Sequence, residues 1–296
     1  MTTSILICTY NRGSLIDKTL HCLIKRQTVK PNEIVVVNGG GENNCKDTLQ
    51  KWKNNFTKLK IKETQNINLA VSRNIGLSIC QGDLVLFTDD DARPYPDWIE
   101  KIKKAYEMHP DAFAIGGNVV DISGDDFLSR IAEIATFPYY KNNSEVRHIP
   151  GVNVSYKKEV INHIGEFDET LFRGEDVDYN WRIYKKGLKL LFISDVLVKH
   201  IHRSTWKSLF YQHYMYGRAY YLVREKWPDM YSLYPSKIDS IFSIFKWFAS
   251  WLWFPLIDAY HKSCRMKGIT NGFELIIFYL INLSNRVGIF IQKLNN

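Results

Sequence analysis

Residues 69–99 run LAVSRNIGLSICQGDLVLFTDDDARPYPDWI, and this stretch sets the fold class. Asn68 to Cys80 reads as a helix, Asp83–Thr88 as a buried strand, and Asp97 to His109 as a second helix stopped at Pro110. Three carboxylates, Asp89, Asp90 and Asp91, close the strand. Adjacent like charges repel, so they call for exposure or a cation. Oxygen ligands of this kind suit Mg²⁺ or Mn²⁺. In an extended segment Asp89 and Asp91 face the same side. A solvated turn capping the next helix accounts for the three acids equally well.

The same alternation continues upstream. Ser4–Cys8 is a strand, Ser14 to Gln27 a helix, Glu33–Val37 a β-branched strand and Leu59–Lys62 a weaker one. Strands alternating with helices imply a mostly parallel sheet covered on both faces. Ligands of such sheets bind beyond the carboxyl ends of the strands. That points to Thr9–Arg12, Asn38–Gly41 and Asp89–Arg93. Downstream, Phe113–Val120, Ile149–Tyr156, Lys189–Ile193 and Val196–Ile201 read as strands, and Glu175 to Lys186 as a helix closed by Gly187.

Composition divides the chain. It has 296 residues and a formal charge of +8, with 45% hydrophobic and 24% charged residues, the balance of a folded protein. Residues 1–202 hold 27 basic and 26 acidic side chains; residues 203–296 hold 12 and 5, with 22 of the 41 aromatics. The start, Met1-Thr2-Thr3-Ser4, lacks the basic region of a signal peptide. Five cysteines without paired spacing favour reduced thiols over a disulfide framework or zinc knuckle. No uninterrupted apolar run reaches the roughly 18 residues of a spanning helix.

Two further clusters carry chemistry. Gly174-Glu175-Asp176-Val177-Asp178 opens a helix. Acids there are ordinary capping residues, yet the helix N-terminus favours an ionised carboxylate, and that form can act as a base. His200-Ile201-His202 follows a strand, where one imidazole could complete a carboxylate metal site or simply pack in the core.

Taken together, ILICTYNR, EIVVVNGG, the 69–99 stretch, GVNVSYKKEVINHIGEFDE, GEDVDYNWRIYKKG and VKHIHR resemble the family 2 inverting glycosyltransferases of the GT-A fold over about residues 3–204. The resemblance implies an α/β GT-A domain over 1–204, with a nucleotide-sugar half (1–110) and an acceptor and base half (111–204). A helical extension follows over 205–296. It implies sugar transfer from a nucleoside diphosphate donor to an acceptor hydroxyl. Asp91 and His200 would hold Mn²⁺ or Mg²⁺, with Asp89 facing the donor and Asp90 the variable middle position. Asp176 would be the catalytic base, with Glu175 helping to hold the acceptor. Thr9, Tyr10, Arg12, Arg73 and Asp83 match nucleotide- and diphosphate-side positions. Asn38 stands where many relatives carry an Asp that accepts the base N3–H. An amide oxygen can still accept that bond, so a UDP-sugar is the favoured donor.

The rivals are a sugar nucleotidyltransferase, unsupported by GEDVDYNWR, and an inactive glycan- or lipid-binding scaffold, disfavoured by the retained Asp91, Asp176 and His200. In the tail, Asp239, Ser243, Lys246 and Ser250 fall on one narrow polar stripe of an otherwise Trp- and Phe-rich helix that Pro255 ends or kinks. Leu275–Ile281 is a second apolar run, with Lys262, Arg265 and Lys267 between the two. These features fit an enzyme held peripherally at the cytoplasmic membrane face, acting on a glycan or lipid-linked acceptor. The basic charge then serves lipid and not nucleic acid.

Overall fold

The computed structural model describes residues 1–41, 43–122, 126–230, 240–266 and 272–296, Asn43 by its backbone alone. Asp239 and Lys267 lie outside the described residues. The chain forms two compact units: Met1–Ile122 with Phe137–Ile201, and Ser123–Thr136 with His202–Asn296.

The first unit is built on a nine-stranded mixed sheet among the described residues. Strands β1 (Thr3–Thr9), β2 (Glu33–Asn38), β3 (Leu59–Glu63) and β4 (Leu84–Phe87) run parallel in the order β3-β2-β1-β4. They alternate with α1 (Gly13–His21, prolonged by a π-turn over Cys22–Arg26), α2 (Asn43–Asn55) and α3 (Leu69–Ile79). Beyond β4 the order continues through β8 (Val154–Lys157), β6 (Ala112–Asp121), β9 (Lys189–His200) and β5 (Ala92–Pro94), while β7 (Ser144–Glu145) also pairs with β9. β8 is antiparallel to both neighbours and β6 and β9 are parallel.

Alternation along the strands builds two cores, because successive side chains point to opposite faces. Ile5, Ile7, Ile34, Val36, Leu84 and Leu86 face one layer, with Leu20, Trp52 and Trp98. Leu6, Val35, Val37, Val85 and Phe87 face the other, with Ala70, Leu77, Phe167 and Tyr179. The covering helices include α4 (Trp98–Met108) on the first face and α7 (Glu175–Lys185) on the second. Burying each such aliphatic side chain stabilises by about 1.5–3 kcal/mol, so this patterning fixes strand register as well as the fold.

The strand expected over Ile149–Tyr156 shrinks to β8, and the two expected at 189–193 and 196–201 are one continuous strand. Its pairing with β6 is irregular between Gly117 and Val119, which lets a twelve-residue strand keep pairing past that point.

The second unit packs α5 (Phe127–Thr136), α8 (Trp206–Lys226), α9 (Ile241–Ser263) and α10 (Gly272–Asn295) around Ile131, Leu209, Ala259, Ile277 and Phe278. The α8 and α10 contacts advance together, from Ser284 Oγ donating to the Phe210 carbonyl at 2.8 Å to Arg218 Nε donating to Gln292 Oε1 at 2.8 Å. These two helices therefore run parallel. α9 does not end at Pro255; it continues to Ser263, and Asn282 Nδ2 donates to the Pro255 carbonyl at 2.8 Å. α10, with mean hydropathy 1.5 over its most apolar 18 residues, is long and apolar enough to cross a membrane by length and composition. Asn282, Ser284, Asn285 and Arg286 break up its apolar run without lowering that average below the range of spanning helices.

Candidate functional site

The acidic turn follows β4 directly. Thr19 Oγ1 sits 2.6 Å from the Asp90 carbonyl and 2.9 Å from that of Ala92, and Arg93 Nη1 donates to the Ala92 carbonyl at 2.6 Å. The chain then enters β5, whose antiparallel register pairs Ala92 with His200 at the end of β9. Register alone thus carries Asp91 to His200: Asp91 Oδ1 lies 3.2 Å from His200 Nε2, and Ile201 N donates to the Asp91 carbonyl at 3.3 Å. The Phe137 ring meets the imidazole edge-on at 5.4 Å between centroids, fixing its plane.

Among the described residues, Asp89, Asp91 and His200 form the one group of such side chains able to hold a metal ion, their ligand atoms all within 4.8 Å of one another. Two carboxylate oxygens and one imidazole nitrogen fit a hard divalent cation such as Mn²⁺ or Mg²⁺. Burial and the neighbouring Asp91 push Asp89 up to about 6, against the pull of Arg73 and His200. For Asp91 burial works in the same direction but is outweighed by His200 and Arg12, which hold it below the usual carboxylate range. A cation between them would relieve the repulsion that raises Asp89.

Asp90 points the other way. It is buried, accepting from Thr9 Oγ1 at 2.7 Å and from Arg12 Nη1 at 3.0 Å, and the same Arg12 nitrogen reaches Asp91 Oδ2 at 3.0 Å. The middle acid therefore ties the β1 loop to the acidic turn. Burial alone would lower the Arg12 pKa, but Asp90 and Asp91 raise it. Tyr10 is exposed beside this knot. Asn11, at φ +54°, aims its side chain at the β2 loop, where a Cβ on Gly41 would fall 1.6 Å from Asn11 Oδ1. Gly41 itself sits at φ +103°, so only glycine closes this loop without strain.

Asn38 is wholly buried. Its Nδ2 donates to both carboxylate oxygens of Glu63 at 3.0 Å, and Cys45 Sγ lies 3.9 Å from its Oδ1. The structure leaves no part of this amide exposed for a base to touch.

The third group joins α3 to α7. Arg73 Nη1 lies 2.6 Å from Glu175 Oε1, both side chains only 5% exposed, and its guanidinium sits 5.6 Å from the ring centres of Phe87 and Phe167. Burial works against this cation, yet Glu175, Asp176 and Asp89 together raise its pKa. Burial pushes Glu175 up, opposed by Arg73 and reinforced by Asp176. Glu175 is thus occupied with Arg73, not open toward an acceptor. Asp176 is half-buried at the helix start; Gly151 N donates to its Oδ2 at 3.0 Å and Val177 N to its Oδ1 at 2.8 Å.

Asp83 is not brought to this cluster. It stands at the opposite end of β4, accepting from Thr2 N at 2.7 Å and Thr2 Oγ1 at 2.9 Å, where it pins the start of the chain. Six extended residues separate it from Asp89, roughly 20 Å. His202 is outside the metal-suited group. Two residues that sequence reasoning passed over belong here. Gly151 lets Arg73 pass (a Cβ would fall 2.5 Å from its Nη2) while its N–H holds Asp176. Glu63 holds Asn38. The glycine in GVNVS was a visible signal; nothing local marked Glu63.

Known proteins resemble this chain in sequence and in fold. The model of the family described as glycosyl transferase family 2 matches residues 4–165. A glucosyl-dolichyl phosphate glucuronosyltransferase of Haloferax volcanii is 31% identical over 190 residues, covering 60% of this chain and 59% of that protein. A hyaluronan synthase of Pasteurella multocida is 23% identical over 234 residues, covering 67% of this chain and 24% of that protein. The chain thus spans 59% of the first relative's length and about a quarter of the second's. The mannosyltransferase PcManGT of Pyrobaculum calidifontis, solved with GDP-Man and Mn²⁺, superposes with a TM-score of 0.68 at 14% identity, over 99% of this chain and 87% of that one, a likeness of fold.

Proposed function

Because the chain belongs to glycosyl transferase family 2, we propose that it moves a sugar from a nucleoside diphosphate sugar to an acceptor hydroxyl, with a divalent cation and with inversion at the anomeric carbon. The observation that carries this reading is the cation-suited group Asp89, Asp91 and His200 at the carboxyl edge of the sheet, linked through Arg73 to Asp176 at a helix start. Asp89, Asp91 and His200 would hold Mn²⁺ or Mg²⁺, which when bound neutralises charge growing on the leaving diphosphate.

The protein's own side chains do the rest. Arg12 and Thr9 hold the β1 loop against Asp90, so that the exposed Tyr10 stands at the nucleotide end of the site. Asp176 takes the proton of the acceptor hydroxyl as that oxygen attacks the face opposite the diphosphate. Two backbone N–H groups fix the Asp176 rotamer for this, one to each oxygen. General-base assistance of this kind is worth about 10²–10⁴-fold. Glu175 is a positioning residue: it fixes Arg73, which braces the loop at Gly151 that holds Asp176. A single displacement needs no covalent sugar–enzyme intermediate. UDP-sugars are the first donors to test.

The acceptor is proposed to be a growing glycan or a lipid-linked one, met at a membrane surface. α9 supports this. The two serines of its polar stripe are turned inward, Ser243 6% and Ser250 2% exposed, while Lys246 stays exposed beside Phe242 at 67%, Phe245 at 76% and Trp253 at 63%. An apolar face turned outward suits a bilayer interface. Lys262, expected to meet lipid, instead pairs with Asp258 at 2.7 Å, and Arg265 Nη1 donates to the Ile134 carbonyl at 3.4 Å, so the aromatic face carries the argument more than these charges.

The testing variant is Asp176→Asn. It should abolish sugar transfer while donor affinity, measured calorimetrically, stays within a few-fold of wild type. Transfer near the wild-type rate would remove Asp176 as the base.

A further inference from the structure

We propose that Glu63, rather than Asn38, reads the donor's base, accepting a hydrogen bond from a ring N–H and so selecting uracil or guanine over cytosine or adenine. This rests on the nucleoside diphosphate sugar reading above.

The sheet edge supplies the geometry. In-register parallel pairing puts Thr9, Asn38 and Glu63 side by side at the carboxyl ends of β1, β2 and β3. Strands are spaced about 4.8 Å apart, so Glu63 stands roughly 10 Å along the edge from Thr9, and one strand further from the acidic turn after β4. The acidic turn that carries Asp89 and Asp91 follows β4 directly, so a nucleoside laid along the edge from a diphosphate bound at that turn would carry its base past β1 toward β2 and β3. At that end Asn38 is fully buried and its amide is committed to Glu63 and Cys45. Glu63, its register partner, is exposed.

The chemistry follows from what a carboxylate can do. It only accepts, through about four lone-pair sites, and the Asn38 amide occupies one on each oxygen. The remaining sites can receive a ring N–H. Uracil and guanine present such a donor on the ring nitrogen of their pairing edge; cytosine and adenine present a lone pair there, which a carboxylate repels. Asn38 becomes a positioning residue whose NH₂ clamps the carboxylate in place. The acidic reader is thus retained at this edge, moved one strand outward.

Calorimetric titration with UDP, GDP, CDP and ADP in the presence of Mn²⁺ tests this on the full chain. Wild type should bind UDP or GDP at least tenfold more tightly than CDP and ADP. Glu63→Gln keeps an acceptor for Asn38 and turns an amide donor outward. It should weaken the preferred nucleotide about ten- to hundredfold, the loss of one hydrogen bond to a charged group, and narrow the gap to CDP, with its melting temperature confirming the fold. Asn38→Ala should shift the same ratio in the same direction by a smaller factor. If Glu63→Gln keeps the wild-type ratio of UDP or GDP to CDP, this proposal falls alone. If wild type binds none of the four, the donor reading falls with it.

Discussion

Replacing Glu175 by Leu leaves the Arg73 guanidinium buried without its main counter-charge. The pair is separated by 2.6 Å, with both side chains 5% exposed. At that distance and an effective dielectric of about 20, two unit charges attract by roughly 6 kcal/mol. Taking both from water offsets most of this, and breaking such a buried pair costs about 3–5 kcal/mol. Glu175→Leu should fall near the lower end, because Phe87 and Phe167 face the guanidinium and Asp89 and Asp176 remain near it. Arg73→Leu should fall near the upper end, since it strands Glu175 among those same acids. The double variant buries two apolar side chains and should return to within about 1–2 kcal/mol of wild type. Urea titrations of the four proteins read this directly. Single variants each within 1 kcal/mol of wild type, or additive losses in the double variant, would refute the claim that one ion pair joins α3 to α7.

Other outcomes follow from the same geometry. Glu33 is buried, which alone would raise its pKa, but bonds from Lys60, Ser4 and the Gln81 N–H outweigh burial and hold it below its ordinary 4.5. A depressed carboxyl contributes stability that is present above pH 4.5 and lost as pH falls through its folded value. Glu33→Gln should therefore flatten the acid limb of the stability–pH curve, and an unchanged limb would show that other groups set it. Replacing Phe242 and Phe245 by Ser removes two exposed aromatic anchors worth about 1.5–3 kcal/mol each. Partition into phosphatidylglycerol-containing vesicles should drop about 10²–10⁴-fold in a sedimentation assay, and unchanged sedimentation would leave the α9 face without a membrane role.

Much of this was legible before the structure. The parallel β1 to β4 layer was written in β-branched runs separated by helical periods, and the acidic turn in its position after a strand. That one imidazole of His200-Ile201-His202 could join a carboxylate site was legible, but the choice of His200 came only by resemblance, because its place beside Asp91 depends on β5–β9 register, a pairing more than a hundred residues apart in sequence. Burial was the hidden variable elsewhere. Asn38 and Glu175 stand where the resemblance puts binding residues, but each is enclosed and bonded to a partner, Glu63 and Arg73, that no local pattern announces. Asp83 matched by position and failed by direction, at the far end of its strand. In α9 only packing decides which face a helix turns inward: Ser243 and Ser250 of the expected polar stripe went in, while Lys246 stayed out with Phe242, Phe245 and Trp253.

The central claim is that the carboxyl edge of this sheet binds a cation and a nucleoside diphosphate sugar and transfers the sugar. Nucleoside diphosphate release, measured across a panel of sugar nucleotides with and without EDTA, tests it most directly. The account predicts release from at least one donor, loss of release with EDTA, and recovery with Mn²⁺ or Mg²⁺. Full release in EDTA would contradict the roles of Asp89, Asp91 and His200, and pyrophosphate as the product would contradict the reaction itself.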